Sequence, residues 1–145
     1  EYNCRFGDPE TQPVLLRLKS DLVSHCMAAL NNSLNREKVE WETRKSLGVV
    51  MASGGYPGNY SNNHPILGLE DISSNYGHKV FHGGTKFADN RLVTNGGRVL
   101  CVTALGNSLE DAKTSAYELV SKISWENVQY RTDIGWRAIE KNRKN

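Results

Sequence analysis

The chain has 145 residues, 38% hydrophobic and 23% charged, with a net charge of +2. That suits one domain, or a small domain plus a piece of another, with enough length to bury a core without disulfides. So slight a charge gives no electrostatic case for nucleic acid, and no apolar run approaches the ~18 residues of a membrane span, so neither is an expected partner.

The cysteines, Cys4, Cys26 and Cys101, are widely spaced and form no CxxC pair. That argues against a zinc knuckle or redox motif and fits reduced thiols in a cytoplasmic protein. All three are expected to serve as small core residues.

Residues 1–6 alternate Glu1, Asn3 and Arg5 with Tyr2, Cys4 and Phe6, the periodicity of a strand with one polar face. Asp8-Pro9 then reads as a helix cap followed by proline in the first turn, ahead of a short apolar helix around 14–18. Ser20-Asp21 offers a second cap. Behind it Leu22, Val23, Cys26, Met27, Ala29 and Leu30 fall on one helical stripe. Residues 31–46 are polar and form the candidate boundary, with Trp41 expected to pin this linker to a neighbouring surface. The division expected is therefore 1–45 and 46–145.

Leu47 to Ala52 is a buried-strand run, and Ser53 to Gly58 is turn chemistry. Lys79–His82 reads as a strand, Asp89-Asn90 as a hairpin turn and Arg91–Thr94 as the returning strand. Arg98 to Leu105 is the longest apolar strand and is expected at the centre of an antiparallel sheet of four or five strands. Ser108-Leu109-Glu110-Asp111 has the form of a capping box. It opens a helix carrying Leu109, Ala112, Ala116, Leu119, Val120 and Ile123 on one face. Trp125 to Tyr130 leads through a turn into a short strand, residues 131–137 close the fold, and the basic stretch from Arg137 to Lys144 is expected to be a solvated tail.

Chemistry concentrates at two places. On a strand, Glu1 and Asn3 point the same way, and hard oxygens side by side suit Mg²⁺ with substrate phosphates. Arg5, one step on, has the planar fork to hold a phosphoryl oxygen. The same spacing also fits the exposed polar face of an edge strand. The second place is Lys86 after Gly83-Gly84-Thr85 and Arg98 after Asn95-Gly96-Gly97, where glycines admit a ligand to the backbone and paired cations suit a phosphate. Ordinary hairpin glycines beside surface cations would look alike. His78 and His82 have a metal spacing for a helix, but on a strand they stand about 13 Å apart, too far to share an ion.

The stretch Glu1-Tyr2-Asn3-Cys4-Arg5-Phe6-Gly7-Asp8-Pro9-Glu10-Thr11-Gln12 resembles the signature of the phosphoribosylamine–glycine ligase (glycinamide ribonucleotide synthetase) family. Gly48 to Gly58, Val80 to Lys86, Val93 to Leu100 and Asp133 to Ile139 resemble that family in the same order. The resemblance implies an α+β chain: the end of an ATP-grasp domain, then a small antiparallel-sheet domain with one main packing helix. It implies that the N-terminal part of the enzyme, including the adenine pocket, is missing, so this chain alone is expected to be inactive. The family joins glycine to 5-phosphoribosylamine with ATP through glycyl phosphate. Carried over by motif, Glu1 and Asn3 resemble ligands of Mg²⁺ or Mn²⁺, and Arg5 would steady the acyl phosphate. Asp8 would either pair with the glycine ammonium or only cap a helix, the cap being the favoured expectation. By analogy with a related ATP-grasp purine transformylase, Lys86 and Arg98 would hold the substrate 5-phosphate. Two alternatives stand beside this reading: a non-catalytic lid or docking module, and an ATP-grasp ligase with a different acceptor.

Overall fold

A computed structural model describes residues 4–73 and 75–144. Glu1 and Asn3 therefore lie outside the described residues. Cys4 and Arg5 form a bend, so the strand expected over 1–6 is absent from its described half.

The centre of the fold is β5 (Arg98–Gly106), buried along nearly its whole length. It pairs antiparallel with β1 (Lys45–Ala52) on one side and β2 (His78–His82) on the other. In an antiparallel ladder, facing residues share a face of the sheet. Leu47, Val49 and Met51 thus stand beside Ala104, Val102 and Leu100 on one face. Helix α3 (Leu109–Val120) covers that face with Ala112, Ala116, Leu119 and Val120. Its Ser108 hydroxyl accepts from the Asp111 N–H at 3.0 Å, and the Asp111 carboxylate accepts from the Ser108 N–H at 3.0 Å. This is the reciprocal cap expected from the sequence.

The other face of the sheet carries Ser46, Gly48 and Val50 beside Leu105, Thr103 and Cys101. Helix α1 (Thr11–Leu16) lies against part of it, and the Ser46 hydroxyl donates to the Pro13 carbonyl at 2.7 Å. Pro13 sits inside α1 without breaking it, because the first four N–H groups of a helix have no intrahelical acceptor to lose.

Two pairings differ from expectation. Thr85–Ala88, which the sequence analysis does not assign, forms a strand, β3, and it pairs with β4 (Arg91–Thr94) in a separate two-stranded ribbon. Asp89 and Asn90 both take positive φ (48° and 57°), as a two-residue turn with the twist of its strands requires. The turn was legible, but β4 returns on β3 rather than on β2. Among the described residues the sheets therefore have three and two strands, in place of the expected single sheet of four or five. The basic stretch expected as a solvated tail is a helix, α4 (Trp136–Lys144), seated by the buried Ile139.

Helix α2 (Leu22–Leu30) is capped as expected, with Asp21 Oδ1 accepting from the Val23 N–H at 2.7 Å. Its apolar stripe is not buried: Val23 is 68% and Leu30 76% exposed, and only Ala28 is covered. Cys26 and Cys4 are exposed as well, so of the three cysteines only Cys101 is a core residue. The segment 31–46 contains one turn of 3₁₀ helix (Leu34–Arg36) and is fastened to α1. The Leu18–Trp41 bridge and two bonds from the Arg17 guanidinium to the Glu42 carbonyl, at 2.9 and 3.2 Å, make that attachment.

Candidate functional site

On the α1 side of the sheet, beside Pro9 just ahead of that helix, lies a cavity of about 540 Å³. Gly48, Val50 and Ala52 of β1 contribute to it from the sheet. Pro9 enters from the N-terminal segment, Tyr56 from the 53–58 turn, and Gln129, Tyr130, Arg131 and Ile134 from the closing segment. Arg98, the first residue of β5, completes the lining. The volume falls within the range of about 300–1,000 Å³ usual for small-molecule sites.

Each wall is held by bonds that the sequence does not announce. Gln129 bridges Ala52 through both backbone groups, at 2.8 and 2.9 Å, and its amide donates to the Tyr56 carbonyl at 2.7 Å. The Ser53 hydroxyl donates to the Gly96 carbonyl at 2.8 Å. Tyr56 in turn packs on Gly97, where a Cβ would overlap its ring. The Tyr117 hydroxyl donates to the Arg131 carbonyl at 2.6 Å and accepts from the Ile134 N–H at 3.2 Å, so α3 anchors the closing segment. Burial pushes the Tyr117 hydroxyl above its ordinary pKa and keeps it the neutral donor that this role needs.

The two cations of the lining are each tied to an aspartate outside it. Arg98 Nη2 lies 3.2 Å from Asp8 Oδ2, and Nη1 donates to the Asp8 carbonyl at 3.1 Å. Arg131 Nε and Nη2 donate to the two carboxylate oxygens of Asp133, at 2.8 and 2.6 Å. That fork holds the Asp133 carboxyl below its ordinary value and raises Arg131 further above neutrality. Among the described lining residues there are two guanidinium groups and no carboxylate.

The expected residues are thus partly gathered. Asp8 and Arg98, read separately as a catalytic-site residue and a phosphate holder, are joined in one ion pair. Asp8 does not cap α1, which begins at Thr11 after Glu10 and has no side-chain cap bond. Its carboxylate instead faces Arg98 and the Gln12 amide, at 3.4 Å from the latter. Arg5 is exposed, with Nη1 donating to the Phe6 carbonyl at 3.0 Å. Lys86 stands on β3 opposite Val93, exposed, and is not among the residues that line the cavity.

The glycines before Lys86 and Arg98 serve backbone packing. A Cβ on Gly84 would meet the Arg98 carbonyl oxygen at 2.8 Å and the Gly96 Cα at 2.8 Å. These glycines bring the start of the ribbon against the start of β5, which accounts for them without a ligand. Among the described residues no three His, Cys, Asp or Glu side chains come together as a metal group.

Tyr56, Gln129, Tyr130 and Arg131 were not singled out by sequence reasoning. Tyr56 falls within the Gly48 to Gly58 stretch that carries the resemblance, but nothing local marks it as a cavity wall. A second groove, of about 610 Å³, runs between α1 and Trp41, lined by Glu10, Pro13, Val14, Arg17, Trp41 and Ser46. It contains none of the residues expected to carry chemistry.

A three-stranded antiparallel sheet, with a helix over one face and an arginine-lined cavity on the other, defines a small α+β domain suited to anionic ligands. Comparison with known proteins narrows that class. Residues 46–137 match the family model for the phosphoribosylglycinamide synthetase C domain, and the chain belongs to that family. It is 57% identical over 97% of its length to a phosphoribosylamine–glycine ligase of Escherichia coli K12, and 51% identical over 99% to one of Vibrio parahaemolyticus. It covers 33% of each of those proteins. A crystal structure of phosphoribosylamine–glycine ligase from Thermotoga maritima superposes with a TM-score of 0.69 at 32% identity, over 92% of this chain and 32% of that one. The chain therefore spans about a third of the length of the relatives it matches.

Proposed function

We propose that this chain is the C-terminal part of an ATP-dependent ligase that joins glycine to 5-phosphoribosylamine, giving glycinamide ribonucleotide for purine synthesis in the cytoplasm. Residues 1–45 would end an ATP-grasp domain and 46–145 would form the C-terminal domain. ATP would be held by the absent upstream part, and the chain alone would be inactive.

In this reading a carboxylate oxygen of glycine attacks the γ-phosphorus of ATP and ADP leaves. The amine of phosphoribosylamine then attacks the acyl carbon of glycyl phosphate, and inorganic phosphate departs with the C–O bond electrons. Such chemistry depends on positioning and charge neutralisation. Arg5 would face the acyl phosphate, Arg98 the 5-phosphate, and Asp8 would either meet the glycine ammonium or position Arg98, while Lys86, expected beside Arg98, is not among the residues that line the cavity. Glu1 and Asn3 would hold Mg²⁺ or Mn²⁺. Both lie outside the described residues.

The observation that carries the reading is 57% identity to a ligase across nearly the whole chain. Two features of the structure support it. Arg98 of the C-terminal domain reaches Asp8 of the signature stretch, so both parts meet at one cavity. The exposed stripe of α2 also suits a segment whose remaining partners lie in the missing two-thirds of the protein.

The test is the intact protein carrying this chain, supplied with glycine, 5-phosphoribosylamine, ATP and Mg²⁺. The expected result is ADP, phosphate and glycinamide ribonucleotide in equal amounts, with no turnover by residues 1–145 alone. No product from the intact protein would refute the ligase reading, and preference for another amine would favour a different acceptor.

A further inference from the structure

The cavity beside β1 contains a guanidinium that the resemblance did not assign. Arg131 lines the same space as Arg98, whereas Lys86, the expected partner of Arg98, does not. Its side chain is 70% exposed, so a ligand can reach it. Asp133 grips Nε and Nη2, and among the described residues Nη1 has no hydrogen-bond acceptor. A guanidinium held along one edge by a carboxylate presents its other donors in a set direction, which suits an anion with several oxygens.

The backbone behind Arg131 is also fixed, because its carbonyl accepts from the Tyr117 hydroxyl on α3. Around the two arginines the lining is apolar and aromatic: Val50, Tyr56, Tyr130 and Ile134. Two cations with no lining carboxylate, beside apolar walls, fit a small molecule that has a dianionic end and a compact uncharged body.

We propose that Arg131, held by Asp133, is the second phosphate-binding residue of this cavity, and that with Arg98 it receives the phosphoryl end of the phosphorylated pentose. The inference rests on the ligase reading for the identity of that substrate, but its binding readout stands apart from turnover. Lys86 then has no part in holding this phosphate. Asp133 is a positioning residue, acting only through Arg131.

Two experiments on the intact protein decide it. In the first, Arg131 of unmutated protein is modified with phenylglyoxal and followed by peptide mass spectrometry, with ribose 5-phosphate, ribose or sulfate as competitors. Ribose 5-phosphate should slow modification of Arg131 and Arg98, ribose should not, and sulfate should act only at much higher concentration. No protection of Arg131, or sulfate acting as well as ribose 5-phosphate, overturns the proposal.

In the second experiment, Arg131→Lys keeps the charge but removes the fork. It should raise the KM for phosphoribosylamine by about 10- to 100-fold and leave the KM for glycine and ATP alone, the loss of charge-assisted hydrogen bonds. A merely structural role would move all three constants together or none. Lys86→Ala should leave the KM for phosphoribosylamine unchanged, and a rise there with no effect at Arg131 overturns the assignment. If the intact protein makes no glycinamide ribonucleotide, the ligase reading falls, and protection of Arg131 by ribose 5-phosphate still decides whether the site binds a phosphorylated pentose.

Discussion

Arg98→Ala in the intact protein removes a guanidinium that makes two different kinds of contact. Within the chain it loses the ion pair with Asp8 and the bond to the Asp8 carbonyl. Both partners of the pair are about half exposed, so the pair itself is worth about 0–1 kcal/mol. The neutral carbonyl bond adds roughly 1 kcal/mol. Together they predict a loss of about 1–2 kcal/mol, seen as a small fall in Tm. Toward a bound phosphate the same group would make charge-assisted bonds worth roughly 1.5–3 kcal/mol, which is about 10- to 100-fold in KM. Steady-state kinetics with phosphoribosylamine varied, alongside a thermal melt, separates the two. The expected result is a small shift in Tm and a large rise in the KM for phosphoribosylamine, with that for ATP unchanged. A normal KM for phosphoribosylamine with the same fall in Tm would show that Arg98 serves only to hold Asp8, and would refute the phosphate assignment.

Gly97→Ala drives a Cβ into the Tyr56 ring, and either the ring or β5 must move. A loss of about 1–3 kcal/mol in urea unfolding, with the cavity wall displaced, is expected. Ser108→Ala removes the hydroxyl that accepts from the Asp111 N–H and should cost ~1 kcal/mol, seen as a lower urea midpoint with an unchanged slope. Glu42 is held by Arg44 at 2.8 Å, which lowers its pKa from 4.5 to about 2. Because the folded value lies below the unfolded one, its contribution is present above pH 4.5 and disappears as the pH falls toward about 2. Urea midpoints of Glu42→Gln should therefore fall less steeply across that window than those of the unmutated chain.

What could be read along the chain was whatever depends on near neighbours. The helix caps at Asp21 and Ser108, the turn at Asp89-Asn90 and the central strand beginning at Arg98 all follow from residues within a few positions of one another. The signature from Glu1 to Gln12 likewise carried the family without any structure. What could not be read was which surface meets which. The stripe on α2 is a sound helical pattern, yet periodicity identifies an apolar face and not the partner that covers it. Cys26 is exposed for the same reason. Asp8 has the sequence of a cap, but α1 starts two residues too late for its carboxylate to reach a first-turn N–H, and Arg98 takes it instead.

The candidate site divides along the same line. The amino-acid sequence by itself determined the family, the central strand, the main packing helix and the candidacy of Asp8 and Arg98, because motif, periodicity and capping are local properties. Only the tertiary structure decided that β4 returns on β3, that Lys86 stands apart, and that Arg131 joins Arg98 in one cavity. The shared cavity and the Asp8–Arg98 pair join residues 33 and 90 positions apart, and such contacts are set by packing of the whole chain rather than by any stretch of it.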